Sequence, residues 1–167
     1  MTEEYPIVRD LAETDRQWLD DGKRYASALH RRYAPTAKED ITPESMDRVY
    51  KAWCDDQRSD MPPLQSLYQG FGCVLGEMFR ERFGHEWKMI TTQFGSEVSL
   101  YSASPSATHR DSVLSPLSMV AKRIRDGQPF CADVFHTLVA QLVRDGFSQK
   151  KADPVGTDND RAAPGRV

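Results

Sequence analysis

Two glutamates and a histidine, spaced four residues apart, are the side chains best suited to metal chemistry in this sequence. Glu77, Glu81 and His85 have the spacing of one helical face, and carboxylate and imidazole groups are common zinc ligands. Gly84, however, predicts the end of the helix before His85, and zinc needs four ligands or three with a water molecule. The remaining ligands would have to come from a later loop, which offers His109 and Asp111. We therefore predict no resident metal or other cofactor, and keep an enzyme with a metal site assembled from these residues as the alternative.

A glycine-rich run between residues 70 and 76 contains the letters of a phosphate-binding loop. Such a loop requires a preceding strand and a tight turn, whereas residues 62–69 are helical in pattern. Close packing of a helix through Gly72 and Gly76 is the better interpretation. Cys73 lies on the same helix, where burial raises the pKa of a thiol and makes it unreactive. Neither a GxSxG nor an SxxK pattern occurs, so the sequence predicts no catalytic residue.

The charge of the chain is uneven along its length. The net charge is −3, so the chain lacks the basic field expected of a general nucleic-acid binder. The first 60 residues hold 14 acidic and 10 basic groups, and this acidic half would suit a basic partner or be no more than solvated helix faces. The aspartates that we predict to bind a partner are Asp20, Asp21, Asp55, Asp56 and Asp60.

Three further residues are predicted to take part in binding a protein partner. Trp87 begins a predicted strand beside two charged residues, where an aromatic side chain is either a core residue or an interface anchor. Lys122 and Arg123 form a basic pair near the end of a predicted helix, where the helix dipole also favours cations. Such a pair can hold an acidic loop or a phosphate group.

The bulk composition predicts one domain in a reducing compartment. The 167 residues allow a single core, which we place at residues 1–147, followed by a flexible, apolar-poor tail at 148–167. Three scattered cysteines without a CxxC pair are expected to be free thiols. The N-terminus lacks the pattern of a signal peptide, and no apolar stretch reaches the roughly 18 residues of a membrane span. We therefore expect a soluble, cytoplasmic protein that does not bind membranes.

Hydrophobic periodicity predicts an α+β fold. N-terminal helices and a central helix over residues 64–83 pack on a small antiparallel sheet, and two helices follow. Residues 1–12 are interpreted as a leader segment, and Thr14 as the cap of the first helix. The sheet consists of a hairpin, with strands at 86–92 and 97–101 around a turn at 93–96, and a third strand at 112–114. A loop over residues 102–110 precedes that third strand.

Several short motifs resemble a bacterial domain-of-unknown-function family, number 3806. They are a glycine-bearing helix, a Trp-led strand, a hairpin and a proline-opened helix with a Lys-Arg pair, here Leu75-Gly76-Glu77, Glu86-Trp87, Gly95, Ser115-Pro116 and Val120-Ala121-Lys122-Arg123-Ile124. The resemblance covers roughly residues 64–145 and leaves the N-terminal helices outside. It implies an α+β fold and no established activity.

The lack of a catalytic set, together with the acidic N-terminal half, favours a non-enzymatic protein-binding module. Its most concrete form is an immunity-type protein that neutralises a cognate bacterial toxin by occluding its active site, and the acidic residues favour a basic toxin domain as that partner. The acidic residues, with the hairpin and the 102–110 loop beside them, would form the surface. The enzyme with a scattered metal site and a housekeeping adaptor are the alternatives.

Overall fold

The computed structural model describes residues 5–35, 40–107, 110–128 and 131–150. These residues form helices packed on a small antiparallel sheet, which confirms the predicted α+β fold. His109 and residues 151–167 of the predicted tail lie outside the described residues. The elements are, in chain order, β1 (Ile7–Arg9), α1 (Glu13–Tyr33), α2 (Pro43–Cys54), α3 (Leu64–Phe83), β2 (Glu86–Thr92), β3 (Gly95–Ser102), β4 (Ser112–Leu114), α4 (Pro116–Arg125) and α5 (Cys131–Arg144).

The four described strands form one antiparallel sheet in the order β1-β2-β3-β4. The predicted hairpin and third strand are confirmed. The turn of the hairpin is shorter than predicted, because β3 begins at Gly95. The interpretation of residues 1–12 as a leader was wrong for Ile7–Arg9, which pairs with Met89–Thr91 of β2. Three residues are too few to show a strand pattern, and this strand forms through pairing with residues about 80 positions later.

The first helix differs in two details from its prediction. Its N-cap is Ala12, not Thr14, and the Asp15 carboxylate accepts a hydrogen bond from the Ala12 amide at 3.0 Å. The spacing of Trp18, Gly22, Tyr25, Leu29 and Tyr33 also predicts one buried face, but Tyr25 is 42% exposed, and Leu19 and Ala26 are buried together with Gly22 and Leu29. Both sets satisfy a helical period, and the close packing of α1 against α3 selects the second one.

The glycines of α3 allow other elements to approach this central helix closely. A Cβ atom at Gly72 would lie 2.7 Å from the Leu117 Cα of α4, and one at Gly76 would overlap the ring of Trp87. The predicted role of these two glycines in packing is therefore confirmed. The helix ends at Gly84, whose φ of 77° lies in the left-handed region that favours glycine.

Side-chain caps fix the positions of α2 and α5. Thr42 and Ser45 cap α2 reciprocally. The Ser45 amide donates to the Thr42 hydroxyl at 3.1 Å, and the Thr42 amide donates to the Ser45 hydroxyl at 2.9 Å. Asp47 of α2 accepts hydrogen bonds from the Cys131 and Ala132 amides at 2.7 and 3.1 Å. These bonds satisfy free amides at the start of α5 and connect two helices that are distant in sequence.

Candidate partner-binding site

Three of the predicted partner-binding aspartates lie after α2, and two of them are neutralised within the fold. The Arg32 guanidinium contacts Asp56 at 3.2 Å and Asp60 at 2.7 Å. Hydrogen bonds from Arg58, from the Tyr33 hydroxyl and from Arg32 hold the pKa of Asp56 well below its usual range, and its side chain is 3% exposed. Asp55 is exposed at the C-cap of α2. The Asp56 and Asp60 carboxylates thus connect the segment between α2 and α3 to α1, and their charges are paired.

Asp20 and Asp21 lie on α1, well away from the other aspartates. Each forms an ion pair with a basic residue three positions later in the same helix, at 2.7 Å for Asp20 and 2.9 Å for Asp21. A helix rises about 1.5 Å per residue, so these carboxylates lie roughly 17 Å along the axis from Arg32. The structure therefore places the predicted acidic residues in two separate groups.

The other predicted binding residues lie in two further places. Trp87 is half-buried against α3, and its indole Nε1 donates a hydrogen bond to the Glu77 Oε1 at 2.6 Å. Lys122 and Arg123 line a cleft between α4 and α5. Trp87 thus packs against α3, and the basic pair lines the separate cleft between α4 and α5.

The tip of the β2–β3 hairpin presents an exposed aromatic side chain that sequence reasoning did not single out. Phe94 is 89% exposed. Gly95, which has a φ of 135°, closes the turn, and the Thr91 and Ser96 hydroxyls are 2.7 Å apart across the strands. The signal that could have identified Phe94 is its position inside a predicted two-strand turn, where a large apolar residue has no interior to enter.

An apolar groove with two carboxylates lies beside the hairpin. Its volume is about 380 Å³, and its lining residues include Asp15, Trp18, Glu97, Val98 and Leu117. Glu97 is three residues beyond Phe94, or roughly 10 Å along the strand. We call Phe94 and these five groove residues the hairpin-end surface.

The carboxylates of the hairpin-end surface accept hydrogen bonds from neutral donors. Glu97 accepts hydrogen bonds from the Ser115 and Ser118 hydroxyls at 2.7 and 2.6 Å, and Asp15 accepts one from the Ala12 amide. These donors are neutral, so they orient the carboxylates without cancelling their charge. The hairpin-end surface therefore combines apolar area with two oriented negative charges.

Three residues of the alternative metal hypothesis, Glu77, His85 and Asp111, each have a different partner within the fold. Glu77 binds Trp87, and Asp111 accepts a hydrogen bond from the Tyr101 hydroxyl at 2.6 Å. His85 is buried, with its Nε2 2.9 Å from the Ser112 hydroxyl, and burial lowers its pKa. Within the described residues, no group of three or more histidine, cysteine, aspartate or glutamate side chains could hold a metal ion.

The buried thiols are poor nucleophiles. Burial raises the pKa of Cys73 to about 12, as predicted, and that of Cys131 to about 12 as well. Both cysteines are free. In the described ranges, no helix is long and apolar enough to cross a membrane.

Comparison with known proteins identifies a family and one similar fold. A family model described as a domain of unknown function, DUF3806, matches residues 44–135. The match thus begins at the start of α2 and ends within α5, whereas the sequence motifs had placed the N-terminal helices outside the family. No match was found among curated proteins.

A crystal structure of a protein from Bacteroides thetaiotaomicron VPI-5482 has a similar fold. The TM-score is 0.52 at 12% sequence identity, and the similarity covers 83% of this chain and 49% of that one. This chain therefore spans about half the length of that protein, and the likeness concerns the fold alone. The family match, which spans more than half of the sequence, establishes that this chain belongs to the DUF3806 family.

Proposed function

We propose that this protein is a non-enzymatic protein-binding module, most concretely an immunity-type protein that neutralises a cognate bacterial toxin by occluding its active site. The observation that carries this proposal is the almost complete exposure of Phe94 at the hairpin tip. A two-stranded hairpin holds this ring on a backbone of paired strands, so little conformational entropy is lost when the ring enters a partner's pocket.

The neighbouring groove supplies the area that a single exposed ring lacks. An isolated surface phenylalanine needs no functional explanation, but the groove lined by Trp18, Val98 and Leu117 begins at Glu97, roughly 10 Å along the strand from Phe94. Aromatic anchors surrounded by such area are the residues that dominate protein interfaces. The hairpin-end surface is therefore the part of the molecule best suited to a protein partner.

The charges of this surface favour a basic partner. Within the described part of the chain, Asp15 and Glu97 accept hydrogen bonds from neutral donors only, whereas Asp56 and Asp60 are paired with arginines inside the fold. Unpaired carboxylates at an apolar groove would attract a basic surface and speed its association. We thus place the acidic contribution at Asp15 and Glu97 in addition to the aspartates predicted from sequence.

The candidate catalytic side chains are engaged in contacts within the fold, which supports a binding function over an enzymatic one. Glu77, His85 and Asp111 each contact a different structural partner, and the thiols of Cys73 and Cys131 are buried. Free buried thiols also agree with the reducing cytoplasm in which such a protein would meet its toxin.

Affinity purification of the tagged protein from its own host, with mass spectrometry, tests the proposal. We expect a single partner at one-to-one stoichiometry whose capture is lost in Phe94→Ala and weakened in Glu97→Gln. Tyr25→Ala is the matched control, because Tyr25 is another exposed aromatic residue and lies on α1 away from the hairpin. Expression of the captured partner alone should then arrest growth, and co-expression of this protein should restore it.

Two results would contradict the proposal at different levels. A partner captured equally by wild type and Phe94→Ala would exclude the hairpin-end surface as its binding site. A partner that depends on Phe94 but is harmless when expressed alone would exclude the immunity role and favour the housekeeping adaptor. If no stoichiometric partner were recovered, the hypothesis of a protein-binding module would itself be contradicted.

A further inference from the structure

The cleft between α4 and α5 has walls built from matching helical faces. On α4, Met119, Lys122 and Arg123 recur at the i, i+3, i+4 spacing of a single face. On α5, the opposing wall has the same spacing and consists of Val134, Thr137 and Leu138. The resulting cleft has a volume of about 440 Å³, within the range of small-molecule sites.

The two cations of this cleft lack carboxylate partners in the described ranges. Among the described residues, no carboxylate lies within 4.0 Å of the Lys122 or Arg123 side-chain nitrogens. Asp126, the acidic residue of the cleft, is paired with Arg125 at 3.3 Å. The α4 dipole favours cations anywhere in its last turn, but it does not require two of them to face one cleft without an anion.

We propose that the α4–α5 cleft binds a small organic anion with an apolar body and a single carboxylate, sulfonate or phosphate head group. Met119, Val134 and Leu138 supply apolar contact for the body. Lys122 and Arg123 supply charged donors for the head group, and the Thr137 hydroxyl can donate one more hydrogen bond. This site is independent of the hairpin-end surface, which lies on α1, β3 and the start of α4.

Both parts of the cleft are required by this assignment. A bare inorganic anion would leave the apolar wall uncovered, and a neutral apolar molecule would cover the half-buried Arg123 side chain without supplying an anion for it. Burying an unpaired charge is unfavourable, so the neutral molecule should bind less tightly than its anionic counterpart. An anion attached to an apolar body satisfies both walls at once.

Fluorescence titration with two probes of nearly the same shape tests the assignment. One is 8-anilinonaphthalene-1-sulfonate, and the other is N-phenyl-1-naphthylamine, which has the same rings without the sulfonate. We expect the sulfonate probe to bind a single site with at least about tenfold higher affinity than the neutral probe, as an ionic hydrogen bond allows. Decanoate, whose head group is a carboxylate, should displace it.

Three variants locate the binding. Arg123→Gln should weaken binding of the sulfonate probe by about tenfold, while Lys51→Gln should leave it unchanged. Lys51 is the matched control, since it is an exposed cation in the last turn of α2 and its loss changes the net charge equally. Thr137→Trp, at an exposed position of the cleft, should abolish binding by filling it. Circular dichroism confirms that each variant is folded.

The assignment would be overturned by either of two results in folded variants. Equal affinities of Arg123→Gln and Lys51→Gln would show that the cations do not hold the head group. Unchanged binding in Thr137→Trp would show that the probe occupies another apolar surface.

Discussion

Trp87 and Phe94 are aromatic residues of the same hairpin, seven positions apart, and the fold treats them in opposite ways. The Trp87 ring packs against Gly76 and donates a hydrogen bond to Glu77. The Phe94 ring is 89% exposed and has no comparable partner among the residues that the structure describes. The difference shows that the start of β2 packs against the core, while the turn between β2 and β3 is available for contacts with another molecule.

The largest effect that we expect is the loss of the Trp87 ring. Trp87→Ala should lower the free energy of unfolding by about 3 kcal/mol, because it removes a large ring from between β2 and α3. Urea unfolding followed by far-ultraviolet circular dichroism measures this change. A loss below about 1 kcal/mol would mean that the ring contributes no more than a surface residue, and the comparison with Phe94 would fail.

A smaller effect is expected when the contact is disturbed from the helix side. Gly76→Ala should lower the free energy of unfolding by about 1–3 kcal/mol, because the new methyl group overlaps the Trp87 ring. Combining it with Trp87→Phe should be less harmful than the sum of the two single changes, since the smaller ring leaves room. Strict additivity in this double-mutant cycle would show that the two sites do not contact each other.

The pH dependence of stability tests whether the His85 side chain, close to Trp87 in the sequence, is buried away from water. His85, two residues earlier, is buried, and its pKa is lowered below 6.5 in the folded protein. The unfolded state therefore binds more protons, and the free energy of unfolding should fall as the pH drops below about 6.5. Urea unfolding between pH 7.5 and about 5 should show this loss, and His85→Gln should reduce it. An identical pH profile in that variant would assign the loss to other groups.

The smallest effect on stability is expected at the hairpin tip. Phe94→Ala should change the free energy of unfolding by less than about 0.5 kcal/mol, because the exposed ring has few contacts to lose. The same urea measurement applies. A loss above about 1 kcal/mol would show that Phe94 supports the hairpin, and would remove the reason for treating it as an interface anchor.

The sequence by itself determined the elements whose signals are local. The period of α3 and the stop at Gly84 were both readable, since each depends on neighbours within one or two turns. The close-packing role of Gly72 and Gly76 was readable for the same reason. The α+β class followed from the change of hydrophobic period after Gly84.

Only the tertiary structure decided which charges are neutralised and which aromatic ring is free. The Arg32–Asp60 contact joins residues 28 positions apart, and the strand Ile7–Arg9 forms by pairing with β2 far along the chain. Sequence patterns report the period of a face, but not the element that covers it. An aspartate on a solvated face and one paired with a distant arginine therefore look alike until the chain is folded, as do the rings of Trp87 and Phe94.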